Sequence, residues 1–109
     1  MENGSKFDSG KAPITLIPGT AIVQIANVLG YGAGKYGAHN FKGGIRHSRL
    51  LDATLRHIIA YCEGQDLDPE SNKPHLAHAG ASLSMLLWMI EHRPDLDDRY
   101  TTERPKANE

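Results

Sequence analysis

Three runs of apolar residues recur at the three- and four-residue spacing of an α-helix, and no run alternates apolar with polar. A chain with this pattern has helix-on-helix packing open to it and little else. The first run is Ile22, Val23, Ile25, Ala26 and Leu29. Pro18 opens it, at a position where a missing N–H costs nothing. Gly30 closes it, where a C-terminal cap belongs, so a helix is expected from Pro18 to Leu29. The second run follows Ser48, a good N-cap residue, through Leu50, Leu51, Leu55, Ile58, Ile59 and Cys62, and Gly64 ends it. The third begins at Pro74 and reaches about His92, with Leu76, Ala79, Leu83, Leu86, Leu87 and Ile90 as its apolar face; Pro94 ends it. The expected class is all-α, a small bundle of three main helices with no internal repeat. Residues 1–12 are polar and read as a flexible N-terminus, 13–93 as one helical domain, and 94–109 as a charged tail without periodicity.

The 109 residues suffice for one domain with a modest core. Twelve basic and thirteen acidic residues are interspersed, for a net charge of −1. That balance argues against direct nucleic-acid binding and against a membrane surface as partner. Cys62 stands alone, so no intrachain disulfide forms, which suits a reducing compartment. Residues 1–12 lack the apolar run of a signal peptide, and no stretch approaches the roughly 18 apolar residues of a membrane helix. The expectation is a soluble cytoplasmic protein.

The stretch "GYGAGKYGAHN", residues 30–40, holds four glycines and a lysine and invites comparison with phosphate-cradling loops. A P-loop needs G-x-x-x-x-G-K-[ST]. Counting back from Gly34-Lys35, the first glycine falls on Leu29, and the hydroxyl position is Tyr36. The dinucleotide pattern G-x-G-x-x-G fails at Lys35. By spacing alone the stretch is the exit from the first helix.

Chemistry-bearing residues crowd the segment "EGQDLDPESNKPHLAH", where Glu63, Asp66, Asp68, Glu70, His75 and His78 lie within sixteen residues. Carboxylates suit Mg²⁺ or Mn²⁺, and imidazole adds affinity for Mn²⁺ and later transition metals. His75 and His78 are three apart in a helix and leave the same face. Asp66, Asp68 and Glu70 have the spacing that opens a calcium loop, but the glycine required directly after the third acid is missing: Ser71 stands there, followed by Asn72. The alternative is a solvated acidic loop that caps the third helix. In the second helix Asp52, Arg56 and Glu63 share a stripe, and Asp52 with Arg56 can be an exposed i,i+4 pair.

"FDSGKAPITLIP", "YGAGKYGAHNF", "SRLLDATLRH" and "GQDLDPESNKPHLAHA", in this order, resemble the phage-type dATP/dGTP diphosphohydrolase N-terminal domain family over about residues 6–90. The most specific parts are Arg56-His57 and the block Gly64 to Ala79; where the family typically reads G-E-D, this chain has Gly64-Gln65-Asp66, with Glu63 close enough to substitute. The resemblance implies a metal-dependent enzyme, similar to MazG-type all-α pyrophosphohydrolases, that converts a purine deoxynucleoside triphosphate to its monophosphate and diphosphate. It implies a Mg²⁺ or Mn²⁺ cofactor, with a ligand set drawn from Asp52, Asp66, Asp68, Glu70, His75 and His78. Glu63, Asp66 and His57 become candidate catalytic residues. Lys35 and Arg56 are candidates to neutralise phosphate, Tyr36 to stack on the base and Asn40 to read its edge. Only one E-x-x-D pair occurs, Glu63 to Asp66, and no E-x-x-E.

Two other classes stay open: a nucleotide- or metal-binding module without turnover, and a structural or interaction protein whose acidic loop is only surface. A homo-oligomer, a dimer or tetramer, is also expected. Three helices make a thin core, and Met85, Trp88 and Met89 give the third helix a second apolar side. Ala77, Gly80, Ala81 and Ser84 would let a partner approach closely; the alternative cover is the segment around Ile14 to Ile17.

Overall fold

The computed structural model describes residues 10–101, whose regular elements are all helical. The order is η1 (Ile14–Leu16), α1 (Gly19–Tyr36), η2 (Asn40–Gly43), α2 (His47–Cys62), α3 (His75–His92) and η3 (Pro94–Leu96), where η marks a 3₁₀ turn. No strand occurs among the described residues; the one β-type contact is an isolated bridge between Leu67 and Pro74. No helix among them is long and apolar enough to cross a membrane. The expected flexible N-terminus and charged tail fall partly at 1–9 and 102–109, outside the described residues.

Helix α3 is the centre. It packs along α2 on one side and meets α1 on the other. Leu50, near the start of α2, joins Leu86 and Met89, near the end of α3, so the two helices run antiparallel. Phe41, Ile45, Met85, Trp88 and Leu96 close around this cluster. A smaller cluster forms where Ile25 and Val28 of α1 meet Ala77 and Ala81 of α3.

The structure differs from four of the sequence expectations. First, α1 does not stop at Leu29: it runs two further turns through Gly30, Gly32 and Gly34, and the positive-φ cap is Gly37 at φ 92°. Each interior glycine costs only about 0.5–1 kcal/mol, and Tyr31 and Lys35 reach Glu70 across the fold, which anchors the extra turns. Second, Ser48 does not cap α2 with its own side chain. Its amide and hydroxyl both donate to Asp98, at 2.9 and 2.6 Å, so a carboxylate from the far end of the chain closes the helix start. The chain after Pro94 is therefore ordered as far as this contact, and Leu96 belongs to the core. Third, the leucine face expected to pack is largely exposed, Leu87 at 69% and Ile90 at 55%, whereas Met89 is fully buried. Helix α3 has two neighbours: it turns Leu86 and Met89 to α2 and Ala77 with Ala81 to α1, and Ala79 and Ser82 are buried with them. Fourth, Ala77, Gly80 and Ala81 of α3 receive α1 of the same chain, while Ser84 stays exposed. A Cβ on Gly80 would lie 2.7 Å from Cδ1 of Ile25.

The two α3 and α1 glycine positions predict opposite outcomes. Gly30→Ala meets open space in mid-helix and should stabilise by about 0.5–1 kcal/mol. Gly80→Ala gains the same helix propensity but overpacks Ile25, at a cost of about 1–3 kcal/mol, so it should melt lower than wild type. Urea midpoints check both; a destabilised Gly30→Ala would restore the capping role and contradict the longer α1.

Candidate functional site

The α2–α3 hairpin turns at residues 63–74, which sets His57 opposite His75. Their Nδ1 atoms lie 2.8 Å apart, so one ring donates to the other. His75 Nε2 sits 2.6 Å from Oε1 of the Gln65 side chain and donates to it. That leaves the His75 Nδ1 lone pair facing His57, which must then be the donor. His78, one turn on, stacks on His57 with 4.6 Å between ring centroids and an interplanar angle of 11°.

Asp68 is brought to this group by a tight turn. Its amide donates to the Lys73 carbonyl, the Asn72 amide donates to its carbonyl, and its carboxylate accepts from the Ser71 amide at 3.0 Å. Asn72 adopts φ 58°, a conformation that asparagine tolerates better than most residues. Donor atoms of His57, Asp68 and His75 all lie within 4.8 Å of one another, a spacing suited to a metal ion after small ring rotations. His78 stands beside them, its Nε2 2.6 Å from Ser71 Oγ and 3.9 Å from Asp68 Oδ2.

The electrostatics favour metal-ready donors. Burial lowers the pKa of His57, and the neighbouring His78 and His75 lower it further. Burial also lowers that of His78, against the opposing pull of Asp68. Burial pushes Asp68 up, but the Ser71 hydrogen bonds and the nearby imidazoles outweigh it and hold the carboxyl low. Neutral imidazoles and an ionised carboxylate are the forms that bind metals.

A cavity of about 610 Å³ opens beside the cluster. Its size falls within the range of small-molecule sites. One wall is the last two turns of α1 and the following loop, with Tyr31, Lys35, Tyr36 and Asn40; another carries His57, Asp68, Glu70 and His78; Met85 and Phe41 line its apolar part. Lys35 Nζ bridges the walls by donating to Glu70 at 2.8 Å, and it also lies over the Tyr31 and Tyr36 rings. The pairing raises the Lys35 pKa and lowers that of Glu70.

Of the residues singled out from sequence, Lys35, Tyr36, Asn40, His57, Asp68, Glu70 and His78 line this cavity, and His75 completes the cluster behind it. Asp52, Arg56, Glu63 and Asp66 do not line it. Asp52, Arg56 and Glu63 sit on exposed positions of α2 and its end, and Asp66 joins the site only through its backbone carbonyl, which accepts from the His75 amide. Asp52 and Arg56 form no ion pair with each other among the described residues. No sequence pattern singles out Tyr31, Ser71 or the bond between His75 and Gln65. Hairpin symmetry about residue 66 was the available signal for His57 facing His75.

Fold and cavity together define a small all-α domain with an imidazole–carboxylate cluster at the edge of a ligand-sized pocket. The chain belongs to the family described as dATP/dGTP diphosphohydrolase, N-terminal, whose model matches residues 1–99. It is 42% identical over 96 residues to a Salmonella phage PMBT28 protein named dATP/dGTP diphosphohydrolase; the alignment covers 88% of this chain and 33% of that protein. The chain thus spans about a third of the length of that relative. No solved structure matches it significantly.

The turn that carries Asp68 gives a direct test. Asn72→Val places a β-branched residue at positive φ and should cost about 1–2 kcal/mol, while Asn72→Gly should fold at least as stably as wild type. Thermal melts of the two variants check this.

Proposed function

We propose that the chain is the catalytic core of a divalent-metal-dependent diphosphohydrolase that converts dGTP or dATP to the monophosphate and diphosphate. The observation that carries this reading is the convergence of Lys35, Tyr36 and Asn40 with His57, Asp68 and Glu70 on one cavity of nucleotide-compatible size. The name of the phage relative supplies the substrate class.

His57, Asp68 and His75 are the residues that would hold a metal, and the donor types fit one. Such an ion supplies neutralisation of the polyphosphate and activation of a water for attack at the α-phosphorus. The chain's own residues do the rest. Lys35 leaves Glu70 to meet a phosphate oxygen, a charge-assisted bond stronger than its exposed pair with Glu70. Tyr36 and Tyr31 offer aromatic faces to the base, and Asn40 offers a donor and an acceptor to its edge. Phe41, Ile45 and Met85 exclude water from the inner part of the pocket.

Incubation with dGTP or dATP and Mn²⁺, followed by anion-exchange chromatography, should yield monophosphate and diphosphate in equal amounts. Lys35→Ala should raise KM roughly tenfold to a hundredfold, the loss expected for a charged hydrogen bond of about 1.5–3 kcal/mol. Nucleotide binding without products would leave a binding module; absence of both would leave a structural protein.

The same domain is proposed to work as a two-fold homo-oligomer. On a projection of about 100° per residue, Leu55, Ile59 and Cys62 of α2 form one exposed row and Leu76, Leu83, Leu87 and Ile90 of α3 another. Because the helices are antiparallel, both rows lie on the same side of the hairpin, away from the cavity. Ile14, Leu16 and Ile17 remain exposed and do not supply the cover. Asp52 and Arg56 flank the row with opposite charges, which a two-fold axis can pair across copies. Light scattering at micromolar concentration should give at least twice the 12.0 kDa chain mass for wild type and a monomer for Leu83→Glu with Leu87→Glu. A monomeric wild type would reject the oligomer.

A further inference from the structure

We propose that the His57–Asp68–His75 cluster is a transition-metal site that selects Mn²⁺, Co²⁺ or Zn²⁺ over Mg²⁺, with Gln65 as the outer residue that sets its geometry. The inference deepens the functional reading above: it names the class of ion. Its binding test does not depend on turnover.

The donor set is the first argument. Two of the three convergent donors are imidazole nitrogens and only one is a carboxylate oxygen. Mg²⁺ favours oxygen donors and gives up water reluctantly, whereas imidazole suits the first-row transition ions and Zn²⁺. The acids that a magnesium site would use are elsewhere: Asp66, Glu63 and Asp52 do not line the cavity, and Glu70, though it lines the cavity, is not among the three convergent donors. Charge is the second argument. A dication with one carboxylate and two neutral imidazoles keeps a net positive charge, which suits a polyanionic ligand in the adjoining cavity.

Orientation is the third. A metal-bound histidine usually gives its other N–H to an acceptor, which fixes the tautomer and the ring plane. Gln65 Oε1 does this for His75 at 2.6 Å. The Nδ1 lone pair of His75 then points at His57, whose own Nδ1 lies 2.8 Å away. For an ion to be held by both Nδ1 atoms, His57 would move its proton from Nδ1 to Nε2 and the two nitrogens would spread slightly, since zinc binds nitrogen at about 2.0–2.1 Å. Ser71 steadies Asp68 through its amide, and His78 stacks on the His57 ring. His57 and Asp68 line the cavity, so open coordination positions face it.

Equilibrium dialysis and visible absorption with Co²⁺ test the proposal. Wild type should bind one Co²⁺ per chain with ligand-field bands, and a hundredfold excess of Mg²⁺ should leave the bands in place. Gln65→Ala should weaken Co²⁺ binding by about tenfold to a hundredfold, the usual effect of losing an outer partner. Gln65→Glu should bind at least as tightly as wild type, and Asp68→Asn should weaken binding with the fold intact by circular dichroism. Displacement of Co²⁺ by equimolar Mg²⁺, or unchanged binding in Asp68→Asn and Gln65→Ala, would overturn it. If the variants fail to fold, the wild-type competition alone decides. Co²⁺ held against Mg²⁺ without dGTP cleavage would keep this site and reject the hydrolase reading. Cleavage supported by Mg²⁺ with no Co²⁺ bound would do the reverse.

Discussion

The contact between His57 and His75 is the constraint on which the rest of the site depends. Two imidazoles meet nitrogen to nitrogen at 2.8 Å only if α2 and α3 are antiparallel and in one register. That register is held from a distance by Leu50, Leu86 and Met89 at the other end of the hairpin. It is held locally by the 63–74 turn, where the His75 amide donates to the Asp66 carbonyl and the Asp68 amide to that of Lys73. A slip of one residue would rotate His75 by about 100° and disperse the cluster.

The cavity exists because α1 stands off from this hairpin at one end and touches it at the other. They touch where Gly80 receives Ile25. From there α1 continues past Val28 to Lys35, and the space between becomes the pocket. Gly30 and Gly32 line it without side chains, which leaves room for a ligand at a small cost in helix stability. Beyond the pocket, Asp98 ties the chain end back to the start of α2 through Ser48. His47 meets the Arg93 carbonyl nearby, at 3.2 Å.

Much of this was legible in the sequence, for reasons that also explain what was not. Helical periodicity located α2 and α3 within a residue or two, because Pro74, Gly64 and Pro94 punctuate them. The acid and histidine cluster was legible because its members are close in sequence, and Asp68, Glu70, His75 and His78 do meet in space. The end of α1 was not legible: glycine at position 30 has the composition of a cap, and only tertiary contacts at Tyr31 and Lys35 show that the helix continues. The buried face of α3 was misjudged because leucine outranks alanine on any hydrophobicity count, whereas a helix with two close neighbours buries its small residues. Gln65 reads as a lost carboxylate in the sequence, yet in space it is the group that orients His75.

The central claim is that one cavity joins a His57–Asp68–His75 metal centre to a nucleotide held by the end of α1. A crystal structure with Mn²⁺ and a dGTP analogue that cannot be cleaved at the α-phosphorus tests it most directly, read by anomalous scattering at the manganese edge. The account predicts an anomalous peak among the three side chains, a triphosphate reaching Lys35, and a base beside Tyr36 and Asn40. Manganese on the exposed acids Glu63 and Asp66 instead, or a nucleotide bound outside the cavity, would contradict it.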